Sequence, residues 1–329
     1  MPGLFVLLEH DRGVLAPACE EALTAARTLG AAINEEVTAI AIGVTGSDLL
    51  PLCSAQGVSR VLALNDPLIS DYSPELWGQA IAEVHEAKQP SLVMAVGTDK
   101  GNEVLAQGSA RLNLPFVANC VSLERQEAWV ATRLQWGGSL LEDVTVEASS
   151  IFASFGHHSV TPERVSLDGQ PSIETLELSL DPTLARSLVQ DRVKMSEGAT
   201  LSTASVVISG GRGVGSAEGF APLEQLAELL SGKVGCSRAV TNNGWRSHSD
   251  QVGQTGTRIA PDLYVACGIS GAIQHWVGAM AAKNILAINT DPEANMVTKA
   301  QYAVIADLHE VIPALIAEVK LRREGQSKS

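Results

Sequence analysis

GISGAIQH, residues 268–275, follows the apolar run LYVAC and breaks abruptly into glycine, hydroxyl and amide groups. The same change of character marks SGGRG (209–213), VGQTG (252–256) and AINTDPEA (287–294). Each cluster stands just after β-branched and small apolar residues. In a parallel α/β sheet this is the place for a nucleotide, past the carboxyl ends of the strands and against helix N-termini. The second half of the chain therefore reads as a cofactor-binding domain.

That half repeats one unit five times. ASVVIS (204–209), GCSRAV (235–240), LYVACG (263–268), ILAINT (285–290) and YAVIAD (302–307) have the composition of buried strands. Helical patterns follow at 217–231, 271–283 and 308–322. The second unit instead leads into the polar loop TNNGWRSHSDQVGQTG, whose length in a compact domain points to function. Polar groups from five strand ends can then converge on one crevice.

The first half also alternates. LFVLLEH (4–10), VTAIAIGV (37–44), VLAL (61–64) and LVMAVG (92–97) read as buried parallel strands, with helices expected near 17–30, 46–56, 74–88 and 101–112. After Pro115 the segments VANCVSLER, WVATRLQWGGSL and EDVTVEASSIFASF are richer in strand-forming residues and suggest a mixed-sheet extension. The polar run MSEGATLST places a linker near 195–203. The expected fold is α/β, with two Rossmann-like domains at 1–198 and 199–329, the second built on a parallel sheet.

Composition narrows the function. At 329 residues the chain can bury two cores. Residues 1–199 carry 12 Lys+Arg against 26 Asp+Glu, net −14, whereas the remainder is neutral. An acidic first half repels phosphate backbones, so nucleic acid is excluded as a partner. No apolar stretch is long enough for a transmembrane helix, and the start MPGLFVLLEHDRG carries no presequence pattern, so a cytoplasmic protein is expected. The five cysteines lack CxxC spacing and read as buried, reduced thiols.

Taken singly, the motifs are modest. GGRGVGS (210–216) offers glycines through which a backbone can approach a phosphate, but Ser216 stands where a dinucleotide fingerprint has its third glycine. Alone, such a run more often marks a tight strand-to-helix turn; Arg212 within it favours an anionic ligand. GISGAIQH puts Ser270 and Gly271 at a helix start, with Gln274 and His275 close behind. Gln254, Thr255 and Gly256 suit the edge of a heteroaromatic ring. His157 and His158 are adjacent, with no carboxylate or cysteine at ligand spacing, and read as loop; no metal site is expected. No nucleophile elbow or base with an orienting partner is present, so no catalytic residue is assigned.

As an ordered set, SGGRG, CSRAV, QVGQTG, GISGAIQH, AINTDPEA and YAVIADLHEVIPAL closely resembles the C-terminal signature of electron-transfer flavoprotein alpha subunits. Residues 1–195 resemble that family more loosely. The resemblance implies one non-covalent FAD, a beta-subunit partner holding AMP or a second FAD, electron donors among flavin dehydrogenases of the acyl-CoA dehydrogenase type, and a membrane quinone oxidoreductase as acceptor. It implies a carrier rather than an enzyme. By motif it assigns FAD contacts to Arg212, Ser237, Arg238, Val252, Gly253, Gln254, Thr255, Ser270, Gly271, Ala272, Ile273, Gln274, His275, Asn289, Asp307 and Leu308. Arg238 would lie over the flavin ring, Thr255 would face N5, His275 would approach the C2 carbonyl, and Asn289 and Asp307 would serve the nucleotide end. The chain departs from the commoner pattern at Thr257, Arg258, Ile259 and Asn295, and through 241–249.

Two other readings stay open at this point: an NAD-dependent enzyme on a related fold, and a structural subunit without cofactor. The strand-rich stretch 116–155, with Trp129, Trp136 and Phe152, offers apolar surface for a partner subunit.

Overall fold

The computed structural model describes residues 3–11, 13–44, 47–165, 167, 169–189 and 199–326, the side chains of 48, 137 and 324–326 excepted. The first part of the expected linker, 195–198, and the last three residues lie outside these. The described residues fall into two compact units. One reaches to residue 189, apart from Gly137–Ser139, and the other runs from residue 199.

The first unit is built on a nine-stranded sheet. Its order across the sheet is Ser172–Leu176, Arg60–Leu64, Val37–Ile42, Leu4–Leu7, Leu92–Gly97, Ile151–Gly156, Phe116–Arg125, Trp129–Gln135 and Leu140–Val146. The first seven are parallel, and the last two add antiparallel, so the mid-chain extension is indeed mixed. Because side chains alternate across a strand, Leu4 and Val6 enter one core while Phe5 and Leu7 enter another on the opposite face. Helices Cys19–Ile33, Pro74–Lys88 and Asp99–Leu112 belong to this unit, each ending on a left-handed residue, Asn34, Gln89 or Asn113.

Several expectations are corrected here. The strand starting at Leu4 ends at Leu7, and His10–Asp11 instead pairs antiparallel with Val14–Leu15. The helix expected at 46–56 is a short 3-10 turn, Ser47–Leu49, followed by Leu50–Ala55. Ser172–Leu176, a largely exposed edge strand, lacked the apolar pattern that marks a strand in sequence. Trp129 and Phe152 are 1% and 0% exposed, so they belong to this unit's own cores and offer no surface to a partner. Trp136, at 77% exposure, and the neighbouring Leu140 and Leu141 remain on the surface.

The second unit carries a five-stranded parallel sheet. The strands in spatial order are Lys233–Cys236, Val206–Gly210, Leu263–Cys267, Ile285–Asn289 and Tyr302–Ile305. Counted along the chain this is 2-1-3-4-5, the doubly wound order whose direction of winding reverses between the first and third strands. Ile208, Val265 and Ile288 face one core, and Val207, Tyr264 and Ala287 face the other. Both faces are thus buried, as the near-continuous apolar runs require.

GCSRAV does not form one strand. The chain leaves the sheet at Cys236, and Arg238–Asn242 is a short helix with Ser237 at its N-cap. The amide of Val240 returns to the Ser237 carbonyl at 3.0 Å, closing that turn. The other helices are Ala221–Leu229, Ile273–Ala279, Asn295–Lys299 and Leu308–Gln326. Among the described residues no helix is long and apolar enough to cross a membrane.

Candidate functional site

The winding reversal brings the turn after Val206–Gly210 against the turn after Leu263–Cys267. The Gly211 amide donates to the Cys267 carbonyl at 2.8 Å, and the Gly213 amide donates to the Gly268 carbonyl at 3.2 Å. A β-carbon on Gly211 would overlap the Gly268 carbonyl oxygen, and one on Gly213 would come within 2.9 Å of the Gly268 α-carbon. These glycines allow two backbones to meet. Their first task is this packing, in keeping with the tight strand-to-helix turn that such a glycine run marks.

Beside that junction a cavity of about 640 Å³ opens at the carboxyl ends of the strands, within the size range of small-molecule sites. Arg212 enters it from the 3-10 turn Arg212–Val214, and Ser237 and Arg238 from the short helix start. Ser270, Gly271, Ala272, Gln274 and His275 form another wall, completed by Asn289, Asp307 and Leu308. Eleven of the sixteen sequence-assigned residues are therefore brought together. Ser270 and Gly271 precede the helix Ile273–Ala279, whose N-cap is Ala272, so they lie in the connecting turn and not in its first turn. Gly213, Ile269, Thr290, Asp291 and His309 also line the cavity without having been assigned to it.

The other five do not line the cavity. Val252 is 1% exposed and packs in the core, and Gly253 lies against the Gln274 carbonyl. Ile273 points outward at 50% exposure. Gln254 and Thr255 are exposed, on a loop tied to the cavity wall by the Gln254 amide, which donates to the Gln274 carbonyl at 2.7 Å. Gln251 sets the shape of this loop. Its side-chain amide donates to Thr255 Oγ1 at 2.9 Å, its Oε1 accepts from Thr241 at 2.9 Å, and its carbonyl accepts from the Thr257 amide at 2.7 Å. A buried glutamine among exposed polar residues was not separable from them in the sequence.

Electrostatically the cavity favours an anion at one side. Among the described residues the side chains of Arg212 and Arg238 make no ion pair or hydrogen bond, so two guanidinium groups stand uncompensated. Asp291 and Asp307 also line it, but their carboxylates cap local turns, accepting from the Glu293 and His309 amides at 2.9 Å each. Asn289 bridges two strand ends, donating to the Ile269 carbonyl at 3.1 Å and accepting from the Asp291 amide.

His275 is 7% exposed, with Nε2 2.7 Å from the Tyr264 hydroxyl and Nδ1 buried, among the described residues, without a hydrogen-bond partner. Burial lowers its pKa to about 4, with the Val252 backbone offsetting part of the effect, so the ring is neutral at pH 7. It therefore acts at the site as a dipole and not as a third cation. Cys236 and Cys267, near the strand ends, have thiols pushed up to about 12 by burial, which leaves them protonated and inert.

Outside the cavity, tertiary structure assembles a group that linear spacing concealed. Glu21, from the helix Cys19–Ile33, meets His157 and His158 directly after the strand Ile151–Gly156.

A parallel sheet wound 2-1-3-4-5, with a cation-bearing cavity at its reversal point, defines a doubly wound α/β protein, the class in which ligands sit at that reversal. Comparison with known proteins narrows the class. The electron transfer flavoprotein FAD-binding domain family matches residues 200–280, and the electron transfer flavoprotein domain family matches 4–181. The electron transfer flavoprotein subunit alpha of Bacillus subtilis is 35% identical over 96% of this chain and 97% of its own length. That of Clostridium acetobutylicum is 33% identical over 97% of each, and the FixB protein of Bradyrhizobium diazoefficiens is 32% identical over 99% of this chain and 90% of its own. The chain belongs to the family of electron transfer flavoprotein alpha subunits and FixB proteins.

Proposed function

We propose that the chain is the FAD-holding subunit of a heterodimeric electron carrier, with residues 199–329 binding the cofactor and 1–198 supplying most partner contacts. The observation that carries this reading is the pair of uncompensated arginines, Arg212 and Arg238, in one cavity at the winding reversal. The residues present suit FAD. Two free guanidinium groups match an anionic cofactor, and the orphaned Nδ1 of His275 offers an unsatisfied polar atom in the cavity wall. When bound, FAD would supply reversible one-electron acceptance and release.

In this reading Arg212 holds the pyrophosphate, since it sits in the glycine turn beside the first strand. Arg238 lies over the flavin ring, where its charge favours the reduced, anionic form. His275, neutral and braced by Tyr264, orients toward the pyrimidine end of the ring without adding charge. Gln254 and Thr255 edge the ring from their loop, with Val252 and Gly253 positioning that loop. Asn289 and Asp307 serve the nucleotide end. The partner is a beta subunit holding AMP or a second FAD. Electrons come from flavin dehydrogenases of the acyl-CoA dehydrogenase type and leave to a membrane quinone oxidoreductase, in the cytoplasmic compartment.

Co-production with the beta subunit, followed by denaturation, tests the reading. Release of one FAD per heterodimer, together with reduction by a dehydrogenase and no turnover of nicotinamide, is the expected result. A complex that is colourless and cannot be reconstituted with FAD would overturn it, and nicotinamide-dependent turnover would favour an enzyme on the same fold.

A further inference from the structure

We propose that Glu21, His157 and His158 form a binding site for a first-row divalent cation, with Zn²⁺ the ion the ligand set suits best. Glu21 lies in the first turn of the helix Cys19–Ile33, and its side chain is only 6% exposed. Its Oε1 is 3.8 Å from His157 Nε2 and 3.5 Å from His158 Nδ1, while its Oε2 accepts from the His158 amide at 2.7 Å. Among the described residues no lysine or arginine lies at ion-pair distance from this carboxylate. A buried carboxylate without a fixed cation is costly, and a metal ion beside it removes that cost.

One ligand atom from each residue lies within 4.8 Å of the other two. Ligands of tetrahedral zinc, at ~2.0–2.1 Å from the metal, are separated by roughly 3.3 Å. The site therefore needs only a small contraction. The imidazoles are stacked, with centroids 3.7 Å apart and planes 22° apart, whereas a metal must lie in the plane of each ring that binds it. One ring consequently turns out of the stack on loading. His158 can do so cheaply, because among the described residues its buried Nε2 has no hydrogen-bond partner and that edge of the ring has no hydrogen bond to lose.

The chemistry of the set is selective. Two imidazoles and one carboxylate suit zinc and its neighbours, while calcium and magnesium require more oxygen ligands. The side chains of His157 and His158 are 24% and 15% exposed, which leaves an entry route and a fourth position for water above the deeper carboxylate. Loading would fasten the first turn of one helix to the end of a central strand, and so stabilise the first unit by mass action.

The test uses the tag-free, full-length chain, stripped with a chelator, incubated with Zn²⁺ near pH 7.5 and desalted. One equivalent of zinc should remain, Co²⁺ should give the visible bands of a four- or five-coordinate site, and zinc should raise the melting temperature. His157→Ala and His158→Ala, both at partly exposed positions, should each weaken retention at least tenfold without changing circular dichroism or flavin content. Glu21→Gln should do the same and checks the carboxylate. A folded wild-type chain that retains no zinc, or equal retention by wild type and the His157→Ala/His158→Ala double variant, would overturn the assignment.

Discussion

The hydroxyl of Tyr264 lies 2.7 Å from Nε2 of His275, and both side chains are buried. Tyr264 comes from the middle strand of the second unit and His275 from the helix that follows it. The contact fixes the imidazole at the floor of the cavity wall. Burial holds it neutral and pushes the tyrosine hydroxyl above its ordinary range.

A pH dependence of stability follows. The His275 pKa is about 4 in the folded chain against 6.5 unfolded. Between those values the unfolded chain binds more protons, so stability rises with pH there. The contribution is complete above about pH 6.5 and is lost as pH falls toward 4, an effect on the order of 3 kcal/mol. Urea unfolding of wild type and His275→Gln from pH 7.5 to 4 should give a shallower slope for the variant. Parallel profiles would show that His275 does not titrate in this way.

The two arginines should divide their labour. At an effective dielectric constant of about 20, a cation about 4 Å from the reduced ring has an upper influence of roughly 4 kcal/mol. Solvent access should leave about 1–2 kcal/mol, or roughly 40–90 mV for one electron. Arg238→Ala should lower the first reduction potential by that amount while retaining FAD. Arg212→Ala should loosen FAD with little change in potential. Potentiometric titration beside a cofactor-retention assay separates the two, and the opposite pattern would mean the roles are exchanged.

At the backbone junction, Gly211→Ala forces a β-carbon onto the Gly268 carbonyl, and neither backbone can move without disturbing a strand end. Loss of about 1–3 kcal/mol or more is expected. Gly215→Ala is the comparison. No atom of the described residues lies within 4 Å of its added carbon, but its φ of +88° still imposes strain, so a smaller loss should appear in the same unfolding assay.

The tryptophans should behave oppositely. Trp129→Ala empties a fully buried site and should cost about 3–5 kcal/mol. Trp136→Ala, at an exposed position, should leave unfolding nearly unchanged but weaken assembly with the partner subunit, read by analytical ultracentrifugation of the mixed subunits. Unaltered assembly would remove Trp136 from the interface.

Much of the second unit was legible in its sequence because burial on both faces of a parallel sheet demands unbroken apolar runs, such as LYVAC and ILAIN. Where those runs stop, the chain must turn, and glycine, serine and asparagine mark the turns. The cavity residues Arg212, Ser270 and Asp307 follow from that logic alone. The setting of Arg238 is less legible, since β-branched Val240 two residues on gives a short helix the look of a strand.

Other features depended on contacts between distant residues. That Gly211 and Gly213 meet Gly268, and that Val252 belongs to the core while Thr255 does not, are consequences of the 2-1-3-4-5 strand order. Trp129 and Trp136 stand seven residues apart with similar neighbours, yet only packing against the other strands buries the first. Glu21 and the pair His157–His158 are separated by more than a hundred positions, and no local spacing links them. Local chemistry in the sequence determined which apolar runs form strands and which polar groups stand close to their ends. Which of those groups share a cavity, which imidazole loses its charge and which carboxylate meets two histidines were decided by the tertiary structure, because burial and through-space distance are properties of the packed chain.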